Sequence, residues 1–369
     1  MFISLQCNKL ISLYLQQRIV VAKVYVSIYN INHMLYINNN NNGMTSLYEV
    51  NILNQPKEWK KLLNTPIPQD VNSIILKKIV FVGIGSSYWA SRFAEFLWRE
   101  YYMVNTTTTA ELLSVQSFDF VKSKYVVTHN DIVVVFSHRG TKTFSMKALE
   151  VAKKYGATTI LITGIGSPSN NNADFRIETC AQENCVAFTV SLTSAVTRIV
   201  QWIGLYNIEF LEKFKETINI LEKKLPFKIP LPRFPNNLVI VGDLIREIVA
   251  CEVALKISET SYLPVRSFGL EEFLHGPRVT LDNKTSLVIF SSVQEPRREA
   301  LINYAQTIGC EVLDIHEDIF DLPKEFSWLA QLLWGQQLAL ELSKGLKTNP
   351  DTARTDQHLY NEARKALML

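Results

Sequence analysis

The sequence predicts an α/β protein made of two doubly wound, three-layer domains with parallel sheets, arranged in tandem. Three observations carry this expectation. Runs such as "KIVFVG", "DIVVVF", "TTILIT", "LVIVG" and "SLVIF" are apolar throughout rather than alternating, as a parallel strand covered on both faces requires. Each is followed by a stretch with helical periodicity. The strand–helix order also recurs after a proline-rich break, so the second half reads as a structural repeat of the first.

In order, the first half reads as the strand "KIVFVGIG" from Lys78, a helix through "SSYWASRFAEFLWREYY", and the strand "DIVVVFSHRG". A helix through "FSMKALEVAKKYG" follows, then the strands "TTILITGI" and "ADFRIET". One helical stretch is expected through "AVTRIVQWIGLYNIEFLEKF". Pro226, Pro230, Pro232 and Pro235 then forbid a regular element and mark a boundary. Beyond it come "NLVIVGD" and a helix, "TSLVIFSS" and a helix, "CEVLDI", and a terminal helix through "WLAQLLWGQQLALELSKG". The expected division is an N-terminal extension at 1–43, a first domain at 44–225, a linker at 226–237 and a second domain with a C-terminal tail at 238–369. The extension is rich in Ile, Tyr and Asn and precedes a second methionine, Met44, where an upstream start codon offers the simplest account.

Composition narrows the function. The chain has 369 residues, 47% of them hydrophobic, and a formal net charge of +3. Its basic residues are scattered rather than gathered in a stripe, so no nucleic-acid partner is implied. No apolar run reaches the roughly 18 residues of a membrane span, and no basic segment precedes an apolar one at the N-terminus. Cys7, Cys180, Cys185, Cys251 and Cys310 form no CxxC pair, which suits reduced thiols in the cytoplasm, and no metal site is expected.

The turn "GIGSS" after the first strand suits an anion, with Gly83 and Gly85 for a tight turn and Ser86 and Ser87 expected at a helix N-cap. It fits neither nucleotide fingerprint: Tyr88 stands where a dinucleotide site needs its third glycine, and no G-K-[ST] follows. A second hydroxyl-rich loop, Ser137, His138, Arg139, Gly140, Thr141, Lys142 and Thr143, ends the next strand. A third, "FTVSLTS", supplies Thr189, Ser191 and Thr193. Loops at the carboxyl ends of neighbouring parallel strands converge on one crevice, and these three suit a compact phosphate monoester.

These motifs resemble the sugar isomerase (SIS) family, with its strand ending G-x-G-S-S and its next strand ending S-x-S-G-x-T. In the second half, "CEVALKISETSYLPVRSFGLEEFLHGP" is similar to the segment E-G-A-L-K-x-x-E-x-S-Y followed by E-x-x-H-G-P in the isomerase half of glucosamine-6-phosphate synthases. The resemblance implies flavodoxin-like SIS domains and no cofactor. It also implies a homodimer with shared active sites acting on a sugar phosphate. Glu259 would be the base that moves a proton between C1 and C2, a task suited to a carboxylate whose pKa is raised by partial burial. His275 would assist ring opening from the neighbouring subunit, and Lys256 would line the site. Glu252, Lys256 and Glu259, spaced i, i+4 and i+7, share one helix face, which in isolation reads as a solvated salt-bridge stripe.

Three departures accompany the resemblance. No glutamine-hydrolysing domain is expected in this chain. Arg139 replaces the second Ser of the phosphate loop. In "NPDTARTDQHLYNEARK", His358 stands at the family's Schiff-base lysine, leaving Lys365 as the nearest substitute. The expected function is aldose–ketose isomerisation of hexose 6-phosphates, foremost as a glucosamine-6-phosphate deaminase/isomerase. A phosphoglucose-type isomerase and a fructosamine-6-phosphate deglycase share the same site, and a non-catalytic sugar-phosphate sensor is the rival of another class.

Overall fold

The computed structural model describes residues 45–68, 78–102, 110–123, 125–168 and 173–367, so the expected extension at 1–43 lies outside the described residues. Helix α1 (Leu47–Leu63) precedes β1 (Lys78–Gly83), α2 (Ser86–Tyr101), β2 (Glu111–Gln116), α3 (Ser117–Lys122) and β3 (Asp131–Phe136). Next come α4 (Thr143–Lys154), β4 (Thr158–Thr163), β5 (Phe175–Glu178), α5 (Val190–Gly204) and α6 (Ile208–Lys224). Residues 225–234 form no regular element. The second half contains β6 (Leu238–Gly242), α7 (Ile245–Ser261), β7 (Val265–Gly269), α8 (Leu270–Leu274), β8 (Ser286–Ser291), α9 (Pro296–Thr307), β9 (Glu311–His316), α10 (Ser327–Leu346) and α11 (His358–Arg364).

Two parallel sheets result, ordered β2-β1-β3-β4-β5 and β7-β6-β8-β9. The second repeats the order of the first four strands of the first, as the tandem reading requires. Side-chain alternation explains the layering. Ile79 and Phe81 of β1 join a large core that also takes in Ile240 of β6, Val253 of α7 and Leu338 of α10, so the sheets share one interior. Val80 and Val82 face the opposite side, packing with Leu149 of α4, while Val239 and Val241 of β6 pack with Leu301 of α9. Helices α5 and α10 are buried along nearly their whole length, so polar side chains such as Arg198, Gln201, Gln331 and Gln336 lie inside and are met by partners there.

Four local expectations are corrected. Strands β2 and β7 were not among the expected strands, because each forms a sheet edge and is only half covered, so neither carries a continuous apolar run. The single helix expected through 195–214 is two, α5 and α6, with Asn207 capping the second by accepting from Phe210 N–H at 3.1 Å. The third hydroxyl loop is shorter than expected, since α5 begins at Val190 and places Ser191 and Thr193 in its first turns. At the "GIGSS" turn Gly85, not a serine, is the N-cap, and Ser86 is the first helical residue.

Candidate active site

In the first sheet, β1 is followed by β2 on one side and β3 on the other, so the crevice beyond the ends of β1 and β3 is the switch point where open α/β sheets bind ligands. The chain turns there without room to spare: a Cβ on Gly83 would lie 2.2 Å from the Ser87 carbonyl oxygen. Gly85 follows with φ of 58°, a conformation only glycine adopts at little cost. The pocket at this point is lined by Ser86 and Ser87 from α2, Ser137 and His138 after β3, Thr163, and Ser191 from α5, with Phe136, Phe188 and Leu192 between them. Its empty space is about 290 Å³, part of it open to solvent. Among the described residues, Ser137 Oγ and His138 Nδ1 of this lining are buried without a hydrogen-bond partner. Buried polar atoms left unpaired are costly, so these two are the lining atoms free to meet a further polar group.

The residues expected around this anion fall into three groups. Ser86, Ser87, Ser137, His138 and Ser191 line the pocket. Arg139, Thr141, Lys142 and Thr143 are exposed, with Arg139 lying over the Phe188 ring at 5.1 Å and Gly140 turning the loop at φ of 64°. Thr189 and Thr193 are engaged elsewhere. Thr189 donates through N–H and Oγ1 to Glu183, while Thr193 Oγ1 donates to Gln55 at 2.7 Å and accepts from Trp59 Nε1 at 3.0 Å. His138 is not a charged phosphate ligand. Its Nε2 accepts from Glu183 N–H at 3.1 Å, and burial, reinforced by Arg139, pushes its pKa down to about 4.

From the second half, α7 brings Glu252, Lys256 and Glu259 to the same region. The solvated-stripe reading of this trio is corrected: Glu252 and Lys256 have no exposed surface, and the Glu259 side chain retains 27%. Lys256 Nζ pairs with Glu259 and lies 3.4 Å from Glu252 Oε1. Ser86 Oγ donates to the same Glu252 oxygen at 3.1 Å and so ties the pocket to the trio. Burial, reinforced by Glu259 and opposed by Lys256, pushes the Glu252 carboxyl up to about 8. Burial works against the Lys256 ammonium, but Glu252 and Glu259 outweigh it and hold the group above the usual lysine range.

Glu183 is a member of this cluster that the sequence reading missed. It is buried, accepts from Thr189 N–H at 2.9 Å and from Ser191 N–H at 3.0 Å, and so occupies the start of α5 with a carboxylate. Its pKa is raised by burial. The available signal was a lone acidic residue a few positions ahead of a helix start. Tyr48 of α1, fully buried, completes the wall.

His275 and His358 lie apart from this group. His275 has an exposed side chain and pairs through Nε2 with Glu271 at 2.9 Å. His358 is exposed at the start of α11. The segment before it runs over the end of the helix carrying Glu259, with Thr348 Oγ1 donating to the Thr260 carbonyl at 2.7 Å and Tyr262 Oη to that of Asn349 at 3.0 Å. Lys365 pairs with Glu362 at 2.7 Å on the surface.

Comparison with known proteins bears on the fold that carries this arrangement. The SIS domain model matches residues 76–203. The glutamine–fructose-6-phosphate aminotransferase (isomerizing) of Aquifex aeolicus is 25% identical over 247 residues, covering 63% of this chain and 40% of the relative. The chain thus spans less than half the length of that protein. Among solved structures, the C-terminal domain of glucosamine-fructose-6-phosphate aminotransferase from Francisella tularensis superposes with a TM-score of 0.70 at 17% identity, covering 84% of this chain and 99% of that one. Glucosamine-6-phosphate deaminase from Thermotoga maritima gives 0.68 at 20% identity, covering 83% and 97%. Residues 76–203 thus match the SIS domain model, and the chain is similar in sequence to the glutamine–fructose-6-phosphate aminotransferases and in fold to the C-terminal domain of one of them.

Proposed function

We propose that this chain is an aldose–ketose isomerase of hexose 6-phosphates, and that its reaction is the conversion of glucosamine 6-phosphate to fructose 6-phosphate and ammonia. The observation that carries the reading is the 3.1 Å hydrogen bond from Ser86 to Glu252, which sets a small pocket lined by serine hydroxyls one side chain away from a carboxylate–lysine–carboxylate trio. Ser86, Ser87, Ser137 and Ser191 hold the phosphate in this scheme. Glu259 takes the C2 proton of the open-chain sugar and returns it to C1, while O1 gains a proton and the C2 amine gives one up, leaving a hydroxymethyl group at C1 and an imine at C2. Water adds there and ammonia departs. Lys256 beside Glu259 offsets the negative charge that builds on O1 between the two transfers.

His275, exposed and remote from Glu259 in its own chain, is read as serving the site of a second copy, which makes the active unit a homodimer. The unpaired thiols Cys180, Cys185, Cys251 and Cys310 support a reducing compartment, the cytoplasm. Among the described residues, no helix is long and apolar enough to cross a membrane.

The test is to incubate the purified protein separately with glucosamine 6-phosphate, with fructose 6-phosphate plus ammonium, and with glucose 6-phosphate, following ammonia and the sugar phosphates. Ammonia release from the first supports the deaminase reading, and turnover of glucose 6-phosphate alone replaces it with a simple isomerase. Binding without turnover of any replaces it with a sensor. Glu259→Gln is expected to lower kcat by at least about 100-fold with little change in ligand affinity.

A further inference from the structure

Ser86 Oγ has a single proton, and in the structure that proton goes to Glu252 Oε1. An anion in the adjacent pocket needs the same proton. An ionised Glu252 and a bound anion therefore compete for one donor. The competition ends if the carboxyl becomes neutral, because its O–H then donates to Ser86 Oγ and frees the serine O–H for the anion. The other Glu252 oxygen, Oε2, is buried without a partner among the described residues, which give ionised Glu252 no donor beyond Ser86 and Lys256. We propose that Glu252 takes up a proton when an anion occupies the Ser86 pocket, reversing the Ser86–Glu252 hydrogen bond and making Glu252 the positioning residue that couples phosphate binding to the Lys256–Glu259 pair. The inference rests on the sugar-phosphate reading of the pocket.

The surroundings favour the exchange. On α7 itself, Lys256 lies between Glu252 and Glu259, so neutralising Glu252 leaves the lysine to Glu259 alone and strengthens the one pair the proposed proton transfer uses. From the loop ahead of α5, Glu183 adds a further carboxylate, and from α1 comes the Tyr48 hydroxyl, which donates to the Gln336 carbonyl at 3.3 Å. The charged groups of α10, Glu341 and Lys344, pair with each other and with Glu49, and Arg266 of β7 is bound to Thr280 and Asn237. Strands β6 and β8 contribute no charge. Arg92 of α2 interacts with Glu247 and Cys251 of α7, and among the described residues Lys256 is the cation paired with Glu252, which it shares with Glu259. Burial already holds the Glu252 carboxyl near about 8, so a second negative charge at Ser86 has only to extend that trend.

Sulfate is the probe, since it has no proton to exchange over the working range. Its dissociation constant is measured by equilibrium dialysis from about pH 6 to pH 10 for the full chain, Glu252→Gln and Ser86→Ala, with thermal melts to establish folding. For a single linked proton the affinity is expected to be level below about pH 8 and to fall by up to tenfold per pH unit above it. Glu252→Gln should bind sulfate at least as tightly as the parent at low pH and lose the dependence. Ser86→Ala should bind more weakly and lose it too, which keeps the test decisive if the Gln variant fails to fold. A pH-independent affinity in the parent, or an undiminished slope in either folded variant, overturns the coupling alone. Absence of sulfate binding to the parent at every pH overturns both the coupling and the phosphate reading beneath it.

Discussion

The two sheets turn at their switch points in the same way and then do opposite things with the space. Gly83 and Gly242 occupy equivalent positions, and a Cβ on Gly242 would lie 2.0 Å from the Arg246 carbonyl oxygen, just as one on Gly83 would meet that of Ser87. Gly85 and Leu244, two residues on, have φ of 58° and 46°. Beyond this the side chains diverge. In the first sheet Ser137 Oγ is unpartnered, whereas its counterpart in the second, Ser292, donates through Oγ to Glu317 at 2.7 Å. Arg246 fills the second crevice, paired with Asp243 and Glu317 and bonded to Ser327 and Gln331 at 3.0 Å each. One backbone therefore yields an open, hydroxyl-lined pocket in one domain and a closed salt-bridge network in the other. The turn supplies the place, and the side chains decide whether they fill it themselves.

The largest expected effect comes from breaking the closed site. Arg246→Ala leaves Asp243 and Glu317 buried without their cation and should cost about 3–5 kcal/mol in urea unfolding. Ser137→Ala in the open site removes a hydroxyl that bonds to nothing, so stability should change by less than about 0.5 kcal/mol while anion affinity falls roughly tenfold or more. Equal stability losses at the two positions would refute the open-versus-closed distinction.

An acid dependence of stability should come from the open site. The pKa of His138 is near 4 folded and about 6.5 unfolded, so the unfolded chain binds the proton first. The contribution is complete above pH ~6.5 and is lost as pH falls toward ~4, by up to about 3 kcal/mol. His138→Gln should flatten that part of the stability–pH profile, measured by denaturant unfolding at each pH. A parent profile already flat there would show the imidazole to be charged when folded.

The smallest effect tests the shared backbone. Leu244 is 74% exposed in a left-handed conformation, so Leu244→Gly should stabilise by about 0.5–1 kcal/mol. Gly85→Ala, with open space around the new methyl group, should destabilise by about 1 kcal/mol through φ alone. Thermal melts showing the same sign for both would break the equivalence.

Much of this architecture was legible in the sequence, for physical reasons that also explain the gaps. The strands covered on both faces, β1, β3, β4, β6 and β8, announce themselves as unbroken apolar runs, because each must face apolar neighbours on two sides. Edge strands β2 and β7 carry no such demand and were passed over. In the site, spacing placed Glu252, Lys256 and Glu259 on one helix face, but a period of 3.6 says nothing about what that face meets. Packing against the first domain turned a stripe that reads as solvated into a buried trio. Likewise the sequence already placed Ser86 and Ser137 in loops that converge on one crevice, and both line it, whereas Glu183 was not readable, since nothing local distinguishes a carboxylate that will cap a helix from one that will face water.

By itself, then, the sequence determined the layered parallel folds, their repetition and the residue types available at each turn, because periodicity and turn chemistry are local. The tertiary structure alone decided which hydroxyls stay unpaired, which carboxyls lose their water and which domain keeps its crevice open. Those outcomes depend on burial and on partners far apart in the chain, as in the hydrogen bond from Ser86 to Glu252 across 166 positions.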